Sequence, residues 1–328
     1  MAPHEAPAIS IVIPTFNRAG LLCRAVESAL QQDADNFEVV VSDNCSSDAT
    51  LEVMRRYVAD KRVRYWCNET NLGMVANWRK AIFERARAQW FILLSDDDFF
   101  TDSSYVRRAC EAIRQHKPVM VFAGGQVCWT PAMTSQTLTL PFSGLVSGLD
   151  VFASHGVLRP QEFILANVVF PRADAQRLGF LANEFNLSCD SELFLKLCTE
   201  GDVYAFPEPV CVYSRHGSNL IQLSVTNHLY REHNLDHLVN PYLHARQKGV
   251  PDAVIKSFWA NTQFERKLRN SLLLLRLHDE RWYESCRARL VKKIPQELAS
   301  IENHWQTRLI WLLMRTFRPW FRRRYPMS

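Results

Sequence analysis

Glycine is scarce in this chain, eleven among 328 residues, and neither G-x-G-x-x-G nor G-x-x-x-x-G-K-[ST] occurs. Such loops bring bare backbone against phosphate, so their absence argues against dinucleotide dehydrogenases and P-loop enzymes. Cysteine is scattered: nine residues, an odd number, never spaced as C-x-x-C. That argues against a disulfide framework or a cysteine-built zinc site and fits a reducing cytoplasm. No apolar run reaches the ~18 residues a membrane span needs. The start, "MAPHEAPAIS", lacks the basic and apolar stretches of a signal peptide. The expectation is a cytoplasmic chain neither exported nor embedded by these signals.

What is present is a large apolar fraction, 47%, ample for a core. Charge is uneven: residues 225–328 hold 19 Lys and Arg against 9 Asp and Glu, whereas residues 1–224 hold 20 against 25. An acidic front and a basic back suggest two jobs. The first 125 residues alternate short β-branched runs, "ISIVI" (9–13), "FEVVV" (37–41), "VRYW" (63–66), "WFILL" (90–94) and "PVMVF" (118–122), with helical spacing. One such face is Leu21, Leu22, Ala25, Val26, Ala29 and Leu30; another is Leu51, Met54 and Val58. Fully apolar strands alternating with helices predict an α/β fold, a mostly parallel sheet covered on both faces. Residues 125–189 read as irregular strands and loops, and the chain becomes mostly helical from about 225. The predicted division is a catalytic domain, 1–224, and a helical C-terminal region, 225–328.

Ligands of open parallel sheets bind outside the carboxyl ends of the strands. Three runs here finish in polar clusters, "PTFNR", "SDNCSSD" and "SDDD". Without a glycine loop, carboxylates can meet a phosphorylated ligand only through a bound cation.

Six strings in order, "SIVIPTFNR" (10–18), "VVVSDNCSSDAT" (39–50), "NLGMVANW" (71–78), "ILLSDDDFF" (92–100), "CDSELFLKL" (189–197) and "VYSRHGSN" (212–219), resemble inverting family-2 glycosyltransferases of the GT-A fold. The "SDN" and "NLG" variants are most similar to bacterial enzymes of O-antigen and surface-polysaccharide synthesis. The resemblance implies transfer of a sugar from a nucleotide-diphosphate donor to an acceptor hydroxyl, assisted by Mg²⁺ or Mn²⁺. It implies that Pro14, Thr15, Asn17 and Arg18 approach the nucleotide, that Asp43 and Asn44 meet the base or ribose, and that Asn71, Gly73 and Asn77 pack beside them. Of the triplet, Asp96 would face the ribose and Asp97 and Asp98 the metal, with His216 closing the metal site and Arg215 on the diphosphate. Asp190 would be the base that takes the acceptor's proton, with Glu192 as understudy. Ser95 and Cys189 stand where the family usually has acids.

Several of these residues also suit plain structural work. Pro14 could end a strand with Thr15 or Asn17 capping the next helix, Ser46, Ser47 or Asp48 could cap another, and Asp190 could be an N-cap. The loop with Asn71 and Gly73 could equally be a cap.

The end, "HWQTRLIWLLMRTFRPWFRRRYPMS", sets Trp305, Trp311, Trp320, Phe317 and Phe321 among six arginines without an acid. That composition suits a helix lying on an anionic membrane surface. Nothing upstream resembles a nucleic-acid module, so no nucleic acid is expected. The function expected is a glycosyltransferase peripheral on the inner face of the cell membrane, with a polyprenyl-diphosphate-linked glycan as acceptor. A degenerate GT-A scaffold and a sugar nucleotidyltransferase are the alternatives.

Overall fold

The computed structural model describes residues 6–129, 134–156, 164–216, 232–233, 235–304 and 307–313. Two compact units emerge. One comprises the described residues among 1–151, 158–184 and 200–217, and the other those among 152–157, 185–199 and 218–328. Residues 185–199, which the sequence reading keeps with the front of the chain, pack instead among C-terminal helices.

The first unit is built on a ten-stranded mixed sheet. Strands β1 (Ile9–Thr15), β2 (Phe37–Asp43), β3 (Val63–Cys67) and β4 (Trp90–Leu93) pair in parallel in the order β3-β2-β1-β4. β1 and β2 are buried at every position, as strands covered on both faces must be. Helix α1 (Ala19–Leu30) covers one face with Leu22, Ala25, Val26 and Ala29. Helix α2 (Thr50–Arg55) departs from the expected face: Val53 and Met54 are buried, whereas Leu51 and Val58 are 49% and 50% exposed. The helix ends at Arg55, so the spacing that would have aligned Leu51 with Val58 is never completed.

Helix α3 (Met74–Lys80) runs into a π-turn over Ala81–Arg85, closed by Ala86 N donating to Ala81 O at 2.9 Å. After the two-residue strand β5 (Phe99–Phe100) and helix α4 (Tyr105–His116), strand β6 (Val121–Trp129) begins three residues later than "PVMVF" and runs farther. Strands β7 (Thr134–Leu138) and β8 (Gly144–Val146) lie beside it and beside β10, and helix α5 (Gly148–Ser154) follows. Strand β9 (Val168–Pro171) enters antiparallel between β4 and β6, followed by helix α6 (Arg172–Arg177).

The long strand β10 (Val203–Arg215) pairs parallel with β6, its register shifting on both sides of Pro209. Gly124 faces that irregularity: a Cβ there would meet Pro207 O and Leu138 O at 2.6 Å, so no side chain fits.

The second unit is helical. Helix α7 (Cys189–Cys198) packs on α8 (Asp236–Gln247), and α9 (Asp252–Asn261), α10 (Phe264–His278), α11 (Glu280–Lys293) and α12 (Pro295–Asn303) follow. Among the described residues no helix is long and apolar enough to cross a membrane.

Candidate functional site

The chain leaves β1 toward β2 on one side and returns to pair β4 on the other, so β1 and β4 flank the switch point where a crevice opens at their carboxyl ends. Thr15, at the end of β1, donates from Oγ1 to Asp96 Oδ2 at 2.8 Å across that point. Arg18 Nη1 bridges Asp96 Oδ1 at 3.0 Å and Asp97 Oδ2 at 2.9 Å. His216, just past β10, brings Nε2 within 2.9 Å of Asp97 Oδ2. Asp98 Oδ1 accepts from Ser214 N at 2.8 Å. Residues far apart in sequence, 15, 18, 96–98 and 216, thus meet at one place.

The three carboxylates are buried, 4%, 3% and 1% exposed for Asp96, Asp97 and Asp98. Burial pushes Asp96 up to about 6, the nearby Arg18 charge opposing and Asp97 adding to the rise. Burial and the Asp97 charge raise Asp98 well above the usual carboxylate range. Among the described residues no group of three or more His, Cys, Asp and Glu is arranged to hold a metal ion. Asp97 and His216 touch, while Asp98 is engaged with the β10 backbone.

The nucleotide loops are tied to each other. Asn17 adopts a positive φ of 52°; its N–H donates to Ser46 Oγ at 2.8 Å and its Oδ1 accepts from Ser47 N at 2.7 Å. Neither Thr15 nor Asn17 caps α1: Asp48 does so from the next loop, accepting from Ala19 N at 2.9 Å and from Thr50 N of α2 at 3.1 Å. Asp43 is 1% exposed; Oδ1 accepts from Ser46 N at 2.9 Å and Oδ2 from the Tyr65 hydroxyl at 2.7 Å. Pro14 is buried in β1 and Thr15 beside it.

Asn44, Asn68, Asn71 and Asn77 form an amide lattice. Asn44 Nδ2 donates to Asn71 Oδ1 at 2.8 Å, Asn68 Nδ2 donates to Asn44 Oδ1 at 3.1 Å and to Asn77 Oδ1 at 2.9 Å, and Asn77 Nδ2 donates to Ser42 O at 3.0 Å. Asn71 Oδ1 also accepts from Gly73 N at 2.9 Å, and Gly73 starts α3 at φ 79°. Asn77, 2% exposed, is therefore enclosed in the fold with its amide engaged by Ser42 and Asn68. Beneath the lattice Arg85, 7% exposed, donates to Ser42 Oγ and Asn68 Oδ1 and lies 5.6 Å from the centroid of the Trp66 ring.

Sequence reasoning missed Arg85, Asn68, Tyr65 and Arg24. Arg24 donates to Asp97 O at 3.0 Å and lies 4.1 Å over the Phe99 ring. Its place in α1 reads as an ordinary polar face, and only the contacts reveal it. Arg215 holds its guanidinium 5.7 Å from the Tyr213 ring and 6.0 Å from Trp129.

In the helical unit, Asp190 lies in the first turn of α7, whose N-cap is Ser188. It is half-buried, its Oδ1 accepts from Ser191 N at 2.8 Å, and burial pushes it up to about 6. Glu192 is occupied: Lys196 Nζ is 2.6 Å away, and Asn186 and Asn240 donate to Oε2 at 2.7 and 2.9 Å.

Comparison with known proteins places this geometry. Residues 10–131 match the family model described as glycosyl transferase family 2. Over 243 residues the chain is 28% identical to WcaA of Escherichia coli K12, named for a colanic acid biosynthesis glycosyl transferase, covering 69% of this chain and 81% of that one. Over 94 residues it is 35% identical to the GalNAc(5)-diNAcBac-PP-undecaprenol beta-1,3-glucosyltransferase of Campylobacter jejuni, covering 28% of this chain and 30% of that protein. The second match therefore spans under a third of either protein.

Among solved structures, S. aureus TarS 1-349 with UDP-GlcNAc superposes at a TM-score of 0.64 and 14% identity, covering 87% of this chain and 89% of that one. The mannosyltransferase PcManGT of Pyrobaculum calidifontis, with GDP-Man and Mn²⁺, does so at 0.54 and 18%, covering 96% and 86%. These two show a shared fold. The family model lies across the very strands that build the crevice, and over residues 10–131 the chain is similar to glycosyl transferase family 2.

Proposed function

We propose that the chain moves a sugar from a nucleotide-diphosphate donor to a hydroxyl of a growing bacterial surface glycan, with inversion at the anomeric carbon. The observation that carries this reading is the convergence of Thr15, Arg18, Asp96, Asp97 and His216 at the switch point of the sheet. Arg18 would donate to the diphosphate, Asp96 would meet the ribose, and Asp43, fixed by Ser46 and Tyr65, would offer its remaining lone pairs to the base or ribose. Asp97 Oδ2 and His216 Nε2, side by side at 2.9 Å, form an oxygen and nitrogen donor pair that fits Mg²⁺ or Mn²⁺. Such ions take one or two carboxylates and complete their shell from phosphate oxygens. When bound, the ion would offset charge on the leaving diphosphate.

Asp190 is assigned as the base that accepts the proton of the attacking hydroxyl. Raised to about 6, it is a stronger base than an ordinary aspartate and still ionised at neutral pH. Residues 1–224 are assigned to catalysis, with the nucleotide-sugar and acceptor halves, and 225–328 to a helical region whose basic aromatic tail meets the membrane. The colanic acid relative supports a surface-glycan product and the undecaprenol relative a polyprenyl-diphosphate-linked acceptor, and the neighbours bound to UDP-GlcNAc and to GDP-Man with Mn²⁺ support the donor and the cation.

Most of the basic aromatic tail, 314–328, lies outside the described residues. Just before it, Leu309, Leu312 and Leu313 are 46%, 61% and 40% exposed, which supports attachment to the inner face of the cell membrane.

The test is a panel of sugar nucleotides with Mn²⁺ or Mg²⁺ and extracted lipid acceptors. Release of nucleoside diphosphate is expected with one donor and is expected to vanish in Asp97→Asn. No release from folded protein with any donor overturns the reading.

A further inference from the structure

We infer that Arg18 is a resident counter-cation of the acidic cluster, and that a nucleoside diphosphate must draw it away before a divalent ion can settle on Asp97. This inference rests on the reading of the crevice as a donor and cation site. A single guanidinium nitrogen of Arg18 lies 3.0 Å from Asp96 Oδ1 and 2.9 Å from Asp97 Oδ2. The Asp97 oxygen it holds is the one His216 reaches, so Arg18 occupies the carboxylate oxygen that a cation held by Asp97 and His216 would need. The side chains of Asp96 and Asp97 are 6% and 4% exposed and that of Arg18 is 23% exposed, which makes the guanidinium the outer cover over the buried acids.

Buried carboxylates demand a nearby positive charge, and Arg18 supplies it to Asp96 and Asp97. Arg24 is not an alternative, because its guanidinium is spent on Asp97 O, on Ser214 Oγ at 3.3 Å and on the Phe99 ring. A divalent ion and a guanidinium cannot share one carboxylate oxygen without strong repulsion. A guanidinium also binds phosphate through paired N–H groups, so an incoming diphosphate competes with the aspartates for Arg18. Nucleotide and cation then bind cooperatively, each raising the affinity of the other by the same factor.

The experiment follows free Mn²⁺ by electron paramagnetic resonance during titration of the full chain, alone and with UDP or GDP, corrected for Mn²⁺ held by nucleotide alone. For the wild type, the affinity for Mn²⁺ is expected to rise about tenfold or more with one of the nucleotides. Arg18→Met is expected to bind Mn²⁺ without nucleotide and to keep only the part of the nucleotide dependence that phosphate oxygens in the ion's shell supply, at least about threefold less than in the wild type. Because loss of a positive charge alone tightens cation binding, the deciding quantity is the nucleotide dependence. Arg18→Lys, which keeps the charge, is expected to retain part of it.

Two results overturn the inference alone: Mn²⁺ binding to the wild type that is equally tight with and without nucleotide, or full nucleotide dependence in Arg18→Met. If folded wild type and both variants hold no Mn²⁺ with either nucleotide, the donor and cation reading falls and the inference falls with it.

Discussion

At the ends of β1 and β4 each acid of the triplet is held by a partner from a distant segment, whereas at the start of α7 Asp190 accepts its hydrogen bond from the very next residue. Asp96 and Asp97 are fixed by Thr15, Arg18 and His216, and Asp98 by the backbone of β10. Asp190 meets Ser191 N, while the bonds that anchor α7 to α8 fall on Glu192. The difference suits the two kinds of chemistry proposed for these residues. Groups that hold charge through a reaction act best when preorganised, and a group that must take up and release a proton needs an oxygen open to exchange.

The largest effect should come from the sparsely bonded side. Asp190→Asn is expected to lower kcat by about 10²–10⁴-fold, the usual contribution of a general base, while the affinity for donor stays near that of the wild type. In the wild type, kcat should fall as pH drops through about 6, the value to which burial raises Asp190. Near-normal transfer by Asp190→Asn would remove it from the role of base and erase the contrast. Glu192→Gln should do the reverse. Breaking its pair with Lys196 is expected to destabilise the fold by about 3 kcal/mol, read as a shift of the urea midpoint, with kcat per folded molecule little changed. A large loss of kcat without a change in midpoint would transfer the base role to Glu192.

Much of the crevice could be read from the sequence because apolar runs and the polar residues that end them are local signals. "ISIVI", "FEVVV" and "WFILL" became β1, β2 and β4, and the clusters after them do converge. Pairing partners are non-local, so β9, which enters antiparallel between β4 and β6, left no readable mark. "PVMVF" spans 118–122, yet β6 runs on through Gly124 and Gly125 to Trp129 on the ladder of β10. The surroundings of Asn77 are hidden for a related reason. Its partners are Ser42 and Asn68, and the buried Arg85 beneath them sits in "FERARAQW", which has the look of an exposed helix face.

A third test compares how the two regions respond to acid. Burial alone would raise Asp236 of α8, but the bond from His233 and the charges of Arg289 and Lys293 outweigh it and hold the carboxyl at about 2. A folded-state value below the unfolded 3.8 stabilises the fold above pH ~4, and that stability is lost as pH falls through about 2. The shift corresponds to about 2 kcal/mol. Asp236→Asn should therefore lower stability at neutral pH by about that amount and flatten the decline between pH 4 and 2. An unchanged decline would mean that acid unfolding begins elsewhere.

The smallest expected effect probes whether the crevice owes its rigidity to the loops behind it. Asp48 caps two helices at once, one carboxylate oxygen on Ala19 N at the start of α1 and the other on Thr50 N at the start of α2. Asp48→Ala removes both caps and should destabilise by about 1–2 kcal/mol. Asp48→Asn leaves one acceptor oxygen and should fall between Ala and wild type. Because Ala19 follows Arg18 directly, loosening its N–H also loosens the residue that spans Asp96 and Asp97. The KM for donor should therefore rise in Asp48→Ala while kcat at saturation changes little. Equal midpoints for wild type and Asp48→Ala would show that water satisfies those N–H groups as well as the carboxylate does, and that Arg18 is held by its ion pairs alone.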